Sequence, residues 1–201
     1  KKEHVLPIIP YEKNITYLHG PKIEEGLHNY YKAIIVVSHF IANCYYKKGE
    51  TPKDAVIPLE NAIHLEDFEK ELTVEEKKKL KQKYNIKEDD IVINFCGRTI
   101  EEKGIKQLIT AFEKIKNIEK CKLLVVGNCN YAKQVKTPFE EELFKLAEEQ
   151  KDRIIFTGFI PNKELYKIHH ISDIAVIPSI FEEPFGLTVI EAMASGLPLI
   201  T

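Results

Sequence analysis

The chain has 201 residues, of which 44% are hydrophobic and 30% charged, with a formal net charge of -2. That is enough apolar material for a real core. It lacks the basic excess of a general nucleic-acid binder, an apolar run of membrane-spanning length, and any signal-peptide pattern at Lys1-Lys2-Glu3-His4. The cysteines, Cys44, Cys96, Cys121 and Cys129, include no C-x-x-C pair. They read as free thiols in a reducing cytosol rather than disulfides or zinc ligands. In such a compartment the sequon Asn14-Ile15-Thr16 carries no meaning.

Residues 1–60 read as part of a larger α/β domain. Ile15–Leu18 is a predicted strand ending in His19-Gly20, and Lys22–Tyr31 a predicted helix. The continuous apolar run Ala33–Val37 fits a strand buried on both faces. Ser38 is a good N-cap for a helix through Tyr46 that Gly49 stops, and Asp54–Leu59 is a further strand. Three strands are too few for a closed doubly wound sheet, so strands preceding Lys1 are expected in a longer protein. Residues 61–84 read as a linker and then a helix, Val74–Tyr84, with acids first and lysines later, as the helix dipole favours. Its lysines are read as a solvated helix face rather than a membrane or nucleic-acid patch.

From Ile91 the alternation becomes regular. Strands are predicted at Ile91–Phe95, Lys122–Val126, Arg153–Phe156, Ile174–Ile177 and from Leu199. Helices are predicted at Gly104–Lys116, Phe139–Gln150, Pro161–Ile168 and Gly186–Ser195. Such alternation implies a Rossmann-like parallel sheet with helices on both faces. The loops Gly97-Arg98, Gly127-Asn128, Gly158-Phe159 and Pro178-Ser179 should then line the carboxyl edge, where such sheets bind ligands. The domain division expected is 1–60, a partial N-terminal domain, and 61–201, a ligand-binding domain incomplete at its C-terminus.

The residues that could carry chemistry fall at that edge. Gly97 lets the chain leave its strand tightly, Arg98 can form a forked contact to phosphate, and Lys103 adds a point charge at the next helix start. Two cations and a helix N-terminus suit a diphosphate, although neither G-x-x-x-x-G-K-[ST] nor G-x-G-x-x-G occurs. Glu183 and Glu191 have seven residues between them and bracket Pro184-Phe185-Gly186-Leu187. Carboxylates beside phosphate-binding cations make sense if the ligand also carries hydroxyls, because a carboxylate accepts from both members of a vicinal diol. A paired-carboxylate glycosidase is the other reading, and it leaves Arg98 and Lys103 without a task.

Glu183-Pro184-Phe185-Gly186-Leu187 followed by Glu191-Ala192-Met193-Ala194, Gly196 and Pro198 resembles the donor-site motif of the family 4 glycosyltransferases (glycosyl transferases group 1), which have the GT-B fold. Gly97-Arg98 through Lys103-Gly104 and Leu108–Phe112 look like the same family's phosphate-binding segment. Leu124–Gly127 and Ile155–Ile160 are similar to its next two strand–loop units. Val36-Val37-Ser38 and Val56-Ile57-Pro58 look like the end of its first domain.

The resemblance implies a hexosyltransferase that moves a sugar, with retention, from a nucleotide-diphosphate sugar (UDP- or GDP-sugar) to a glycan, lipid-linked or small-molecule acceptor, as in polysaccharide biosynthesis. It implies no metal and no cofactor. Arg98 and Lys103 would bind the diphosphate and stabilise leaving-group charge, with Glu183 on the donor-sugar hydroxyls and Glu191 on the ribose diol. The amides of Phe185, Gly186 and Leu187 would face sugar and phosphate, and Phe159-Ile160 would contact the base. His19 resembles the acceptor-side histidine that faces the donor sugar, whereas His169-His170 matches no role.

The protein would be cytoplasmic, and an acceptor in lipid is compatible with peripheral association at the inner membrane face. Two features depart from the family. Asn61-Ala62 stands where it usually has Asn-Gly, and its glycine-rich loop would lie before Lys1, so the chain as given is expected to bind donor without completing the reaction. A sugar-nucleotide epimerase of similar fold and a non-catalytic nucleotide-sugar module are the alternatives.

Overall fold

The computed structural model describes residues 11–20, 26–49, 51–128 and 137–201. The chain divides into two compact units: Lys1–Ala62 with Glu183–Leu187, and Ile63–Glu182 with Thr188–Thr201.

The first unit contains a parallel sheet of β1 (Ile15–Leu18), β2 (Ala33–Val36) and β3 (Val56–Pro58), in the order β1-β2-β3. Helix α1 (His39–Lys48) covers one face. Ser38 caps it by accepting a bond from the Ile41 N–H at 3.2 Å, and Gly49 ends it in the left-handed conformation (φ 75°). Ile34, Val36, Val37, Ile41, Ala42, Tyr45 and Val56 form the buried core. At the carboxyl end of β1, Tyr17 donates to Asn61 Oδ1 at 2.8 Å, and its ring lies 4.6 Å from that of His19.

The second unit begins with α2 (Leu65–Phe68) and α3 (Val74–Lys83). Strands β4 (Ile91–Cys96), β5 (Cys121–Val126), β6 (Ile154–Gly158), β7 (Ile174–Val176) and β8 (Leu199–Ile200) then alternate with α4 (Ile105–Glu113), α5 (Pro138–Ala147), α6 (Asn162–His170) and α7 (Leu187–Ala194). The sheet is parallel throughout, ordered β6-β5-β4-β7-β8. Leu123 and Val125 pack with Ile109 and Phe112 of α4 and Leu143 of α5. Leu124 and Val126 pack on the other face with Leu165 and Ile168 of α6. This double burial is why β5 reads as an unbroken apolar run. Helices α3 and α5 start with capping boxes, Thr73 with Glu76 and Thr137 with Glu140, each contributing about 1 kcal/mol. No residue of α3 is fully buried, in keeping with a solvated lysine face.

Three local expectations fail for identifiable reasons. Of the helix expected over Lys22–Tyr31, residues 21–25 lie outside the described set. From Gly26, whose φ of 68° no α-helix accommodates, the chain makes only a 3-10 turn, Leu27–Asn29. The strand expected over Asp54–Leu59 shrinks to Val56–Pro58, because Lys53–Ala55 curl into another such turn. Helix α2, one turn long, is too short to leave a period in the sequence. Cys44, Cys96 and Cys121 are free thiols, and Cys129 lies outside the described residues.

His169, for which the family resemblance offers no role, is 2% exposed, with Asn94 Nδ2 3.4 Å from its Nδ1, Phe68 against its ring and no partner at Nε2. Burial, aided by His170, depresses its pKa to about 4. The unfolded chain therefore takes up a proton that the folded chain refuses. The protein should lose about 2 kcal/mol of stability between pH 7.5 and 5 through this residue, on the usual linkage with a reference value of about 6.5. His169→Leu leaves buried Asn94 without this partner and so should cost about 1–3 kcal/mol at pH 7.5, but it should flatten that slope, as urea midpoints at the two pH values will show. An unchanged slope would mean that the imidazole ionises freely in place.

Candidate functional site

The order of the larger sheet reverses between β4 and β7, so the chain leaves these adjacent strands in opposite directions around the sheet. In open α/β sheets the crevice at such a reversal is where ligands bind, outside the carboxyl ends. Gly97 and Arg98 leave β4 there, and Pro178–Phe181 follow β7.

The loops at this edge are fastened to one another. Gly97 N–H donates to Val126 O at 3.0 Å, and Gly127 N–H to Gly158 O at 2.9 Å. A Cβ on Gly127 would lie 2.0 Å from Gly97 O, so the loops after β4 and β5 meet backbone to backbone. Thr99, buried, donates to the carboxylate of Glu140, which also closes the α5 capping box. The 3-10 turn Glu101–Lys103 then leads into α4 through Gly104 at φ 67°. Against this turn lies the segment after β7. Ile180 N–H donates to Glu102 O at 2.9 Å, and Lys103 Nζ sits 5.1 Å from the centroid of the Phe181 ring.

Each residue singled out in the sequence has a definite place. Arg98 is exposed at the end of β4, and Lys103 is half-buried beside Phe181. Phe159, 41% exposed, and Ile160, packed under α6 among the core residues, follow edge strand β6. Glu191 is on α7 and only 7% exposed. Burial pushes its pKa up to about 7. The thiol of Cys96, at the end of β4, is pushed up to about 12 by burial and, to a lesser degree, by the Glu191 charge, so that carboxylate is within electrostatic reach of the β4 terminus.

Gly97, Arg98, Lys103, Phe159, Ile160 and Glu191 thus all belong to the second unit. His19, exposed just after β1, belongs to the first, as do Glu183, Phe185, Gly186 and Leu187. Phe185 packs against the core of that unit, and Gly186 adopts φ 84°.

Two further residues, one in each unit, have contacts that the sequence reading does not anticipate. Asn128, after β5, has an enclosed Oδ1 with no hydrogen-bond partner; its loop was among the four expected at the edge, and an amide there was the available signal. Ser38, read only as a helix cap, also donates to Pro184 O at 2.5 Å, which no local pattern could show. Among the described residues no group of three or more His, Cys, Asp or Glu could hold a metal ion, and no helix is long and apolar enough to cross a membrane.

Comparison with known proteins agrees with this fold. Residues 76–201 match the family model described as glycosyl transferases group 1. An uncharacterised glycosyltransferase of Methanocaldococcus jannaschii is 33% identical over 83% of this chain and 41% of its own length. The lipopolysaccharide 1,2-N-acetylglucosaminetransferase of Salmonella typhimurium is 30% identical over 93% of this chain and 48% of its own. The chain therefore spans less than half of each relative. The crystal structure of Anabaena HepE with UDP and glucose superimposes with a TM-score of 0.73 at 18% identity, covering 92% of this chain and 51% of that one, a likeness of fold. With more than half of its residues inside the family's own match, the chain belongs to the glycosyl transferases group 1 family.

Proposed function

We propose that the protein is a retaining hexosyltransferase that takes a sugar from a UDP- or GDP-sugar and passes it to a glycan, lipid-linked or small-molecule acceptor in cytoplasmic polysaccharide biosynthesis. The observation that carries this reading is the pairing, at the reversal between β4 and β7, of two cations with a buried carboxylate. Arg98 and Lys103 come from the segment after β4, and Glu191, on α7, is within electrostatic reach of the end of the same strand. Cations alone would suit any phosphate. A hydroxyl-accepting carboxylate next to them suits a nucleotide, whose ribose diol follows its diphosphate. The Salmonella relative is by its name a sugar transferase, and the HepE structure holds UDP and glucose. Both support the substrate class.

In this reading the forked Arg98 guanidinium and the Lys103 ammonium meet the diphosphate and the charge that grows on it as the glycosidic bond breaks. Their two positive charges do the work that a metal ion does elsewhere. The Phe185, Gly186 and Leu187 amides and Glu183 take the sugar, Gly97 gives the phosphates room, Phe159-Ile160 meets the base, and His19 serves the acceptor side. An acceptor in lipid would bring the protein to the inner membrane face.

The test is a thermal-shift and calorimetric screen against UDP, GDP and their sugars. One nucleotide series should stabilise the protein. Arg98→Ala should weaken binding of that diphosphate about 10- to 100-fold, the value of one charge-assisted bond. Full affinity in Arg98→Ala would refute the phosphate assignment, and no response to any nucleotide would refute the function.

A further inference from the structure

The hydroxyl of Ser38 has two partners. As the N-cap of α1 it accepts the Ile41 N–H at 3.2 Å, and its own proton goes to Pro184 O at 2.5 Å. The residue is 8% exposed, so little water competes for either bond. The next residue of that segment, Phe185, packs its ring against the core formed by Ile34, Val36, Val37, Ile41 and Tyr45. Two neighbouring anchors, one polar and one apolar, thus hold the start of the Glu183–Glu191 motif to the core of the first unit, whose bounds include Glu183–Leu187. Helix capping does not explain the second bond, since a cap needs only an acceptor oxygen.

We propose that Ser38 is a positioning residue for the sugar-binding end of the donor site, acting through Pro184 on Glu183. The inference rests on the assignment of Glu183 to the donor sugar. Proline fixes its own φ and confines the residue before it to extended backbone. Once the Pro184 carbonyl and the Phe185 ring are held, the backbone of Glu183 is confined to the extended region and leaves a fixed anchor. Ser38 thereby sets where the Glu183 carboxylate can reach, without touching the ligand itself. The diphosphate is assigned to Arg98 and Lys103, which belong to the second unit.

The experiment compares the parent chain with Ser38→Gly, Ser38→Thr and Glu183→Ala in calorimetric titrations. The probes are UDP, GDP and whichever of UDP-glucose, UDP-galactose, UDP-N-acetylglucosamine and GDP-mannose the parent binds best. Glycine is a tolerated N-cap but donates nothing, and threonine keeps both bonds. Expected is a loss of about tenfold in nucleotide-sugar affinity for Ser38→Gly, matching the sense of Glu183→Ala. The parent diphosphate should bind as before, the melting temperature should fall only by the few degrees that one lost buried bond costs, and Ser38→Thr should behave as parent. If Glu183→Ala is selective for the sugar and Ser38→Gly is silent, Ser38 merely caps α1 and the proposal is wrong. Equal loss of both ligands overturns it as well. If Glu183→Ala itself leaves sugar binding intact, the assignment of Glu183 falls and takes this inference with it.

Discussion

Gly104→Ala should destabilise the protein by about 2–5 kcal/mol and abolish tight binding of a nucleotide diphosphate. Two costs combine. The residue sits at φ 67°, a conformation that costs an L-residue about 1–2 kcal/mol. Its Cβ would also lie 1.8 Å from the carbonyl oxygen of Pro178 and 2.7 Å from the carbonyl carbon, so backbone rather than a yielding side chain stands in the way. Forced repacking of this kind costs about 1–3 kcal/mol. The segment after β7 must retreat, which strains the Ile180–Glu102 bond and lifts Phe181 from Lys103. The control is Gly196→Ala. Gly196 has nearly the same φ, 70°, but open space where the Cβ would be, so it should cost only about 1 kcal/mol. Urea unfolding of the two variants isolates the steric part. Equal costs would mean that the loops after β4 and β7 are not in close contact.

That comparison also marks what the sequence could disclose. Signals confined to a few residues were legible. The apolar run of β5, Ser38 and Gly49 around α1, and the charge order along α3 each report on their own neighbourhood, and the elements appear where those signals place them. The proposed donor-site residues rest on signals of the same local kind: Arg98 with Lys103, and Glu183 with Glu191, are close in sequence. Contacts between distant segments left no such trace. Gly104 looked like a helix start, yet its lack of a side chain answers to Pro178 across the sheet edge. Ser38 looked like a cap, yet half of its hydroxyl bonding goes to Pro184. His169 stood in a polar pair, and only the position of Asn94 on the central strand and Phe68 on α2 reveals that it is buried.

If the proposed role of Glu191 holds, nucleotide-sugar binding should strengthen about tenfold between pH 6 and pH 8, because Glu191 would have to lose a proton to accept the ribose diol. The carboxyl group is enclosed on α7 within electrostatic reach of the end of β4, and burial alone raises its pKa to about 7. A protonated carboxyl must spend one oxygen as a donor, whereas the ionised form accepts from both hydroxyls. Binding is therefore coupled to release of the proton, and below the folded pKa each pH unit costs up to a factor of ten. A nucleotide sugar is the right probe, since its diphosphate stays fully ionised across this range.

The same pKa has the opposite effect on the free protein. The folded state holds a proton that the unfolded state has released between pH 4.5 and 7. This contribution to stability is present at acid pH and is lost as pH rises through 7, by up to about 3 kcal/mol for a displacement of this size. Glu191→Gln removes both effects. The variant should be more stable than the parent at pH 8, bind the nucleotide sugar more weakly, and show affinity independent of pH from 6 to 8. His169 biases stability the other way, its contribution being lost toward acid, so the single substitutions separate the two slopes. Calorimetry in buffers of different ionisation enthalpy would count the proton directly. A parent protein whose affinity is flat across this range would show that Glu191 is already ionised before the ligand arrives, or that it does not meet the diol.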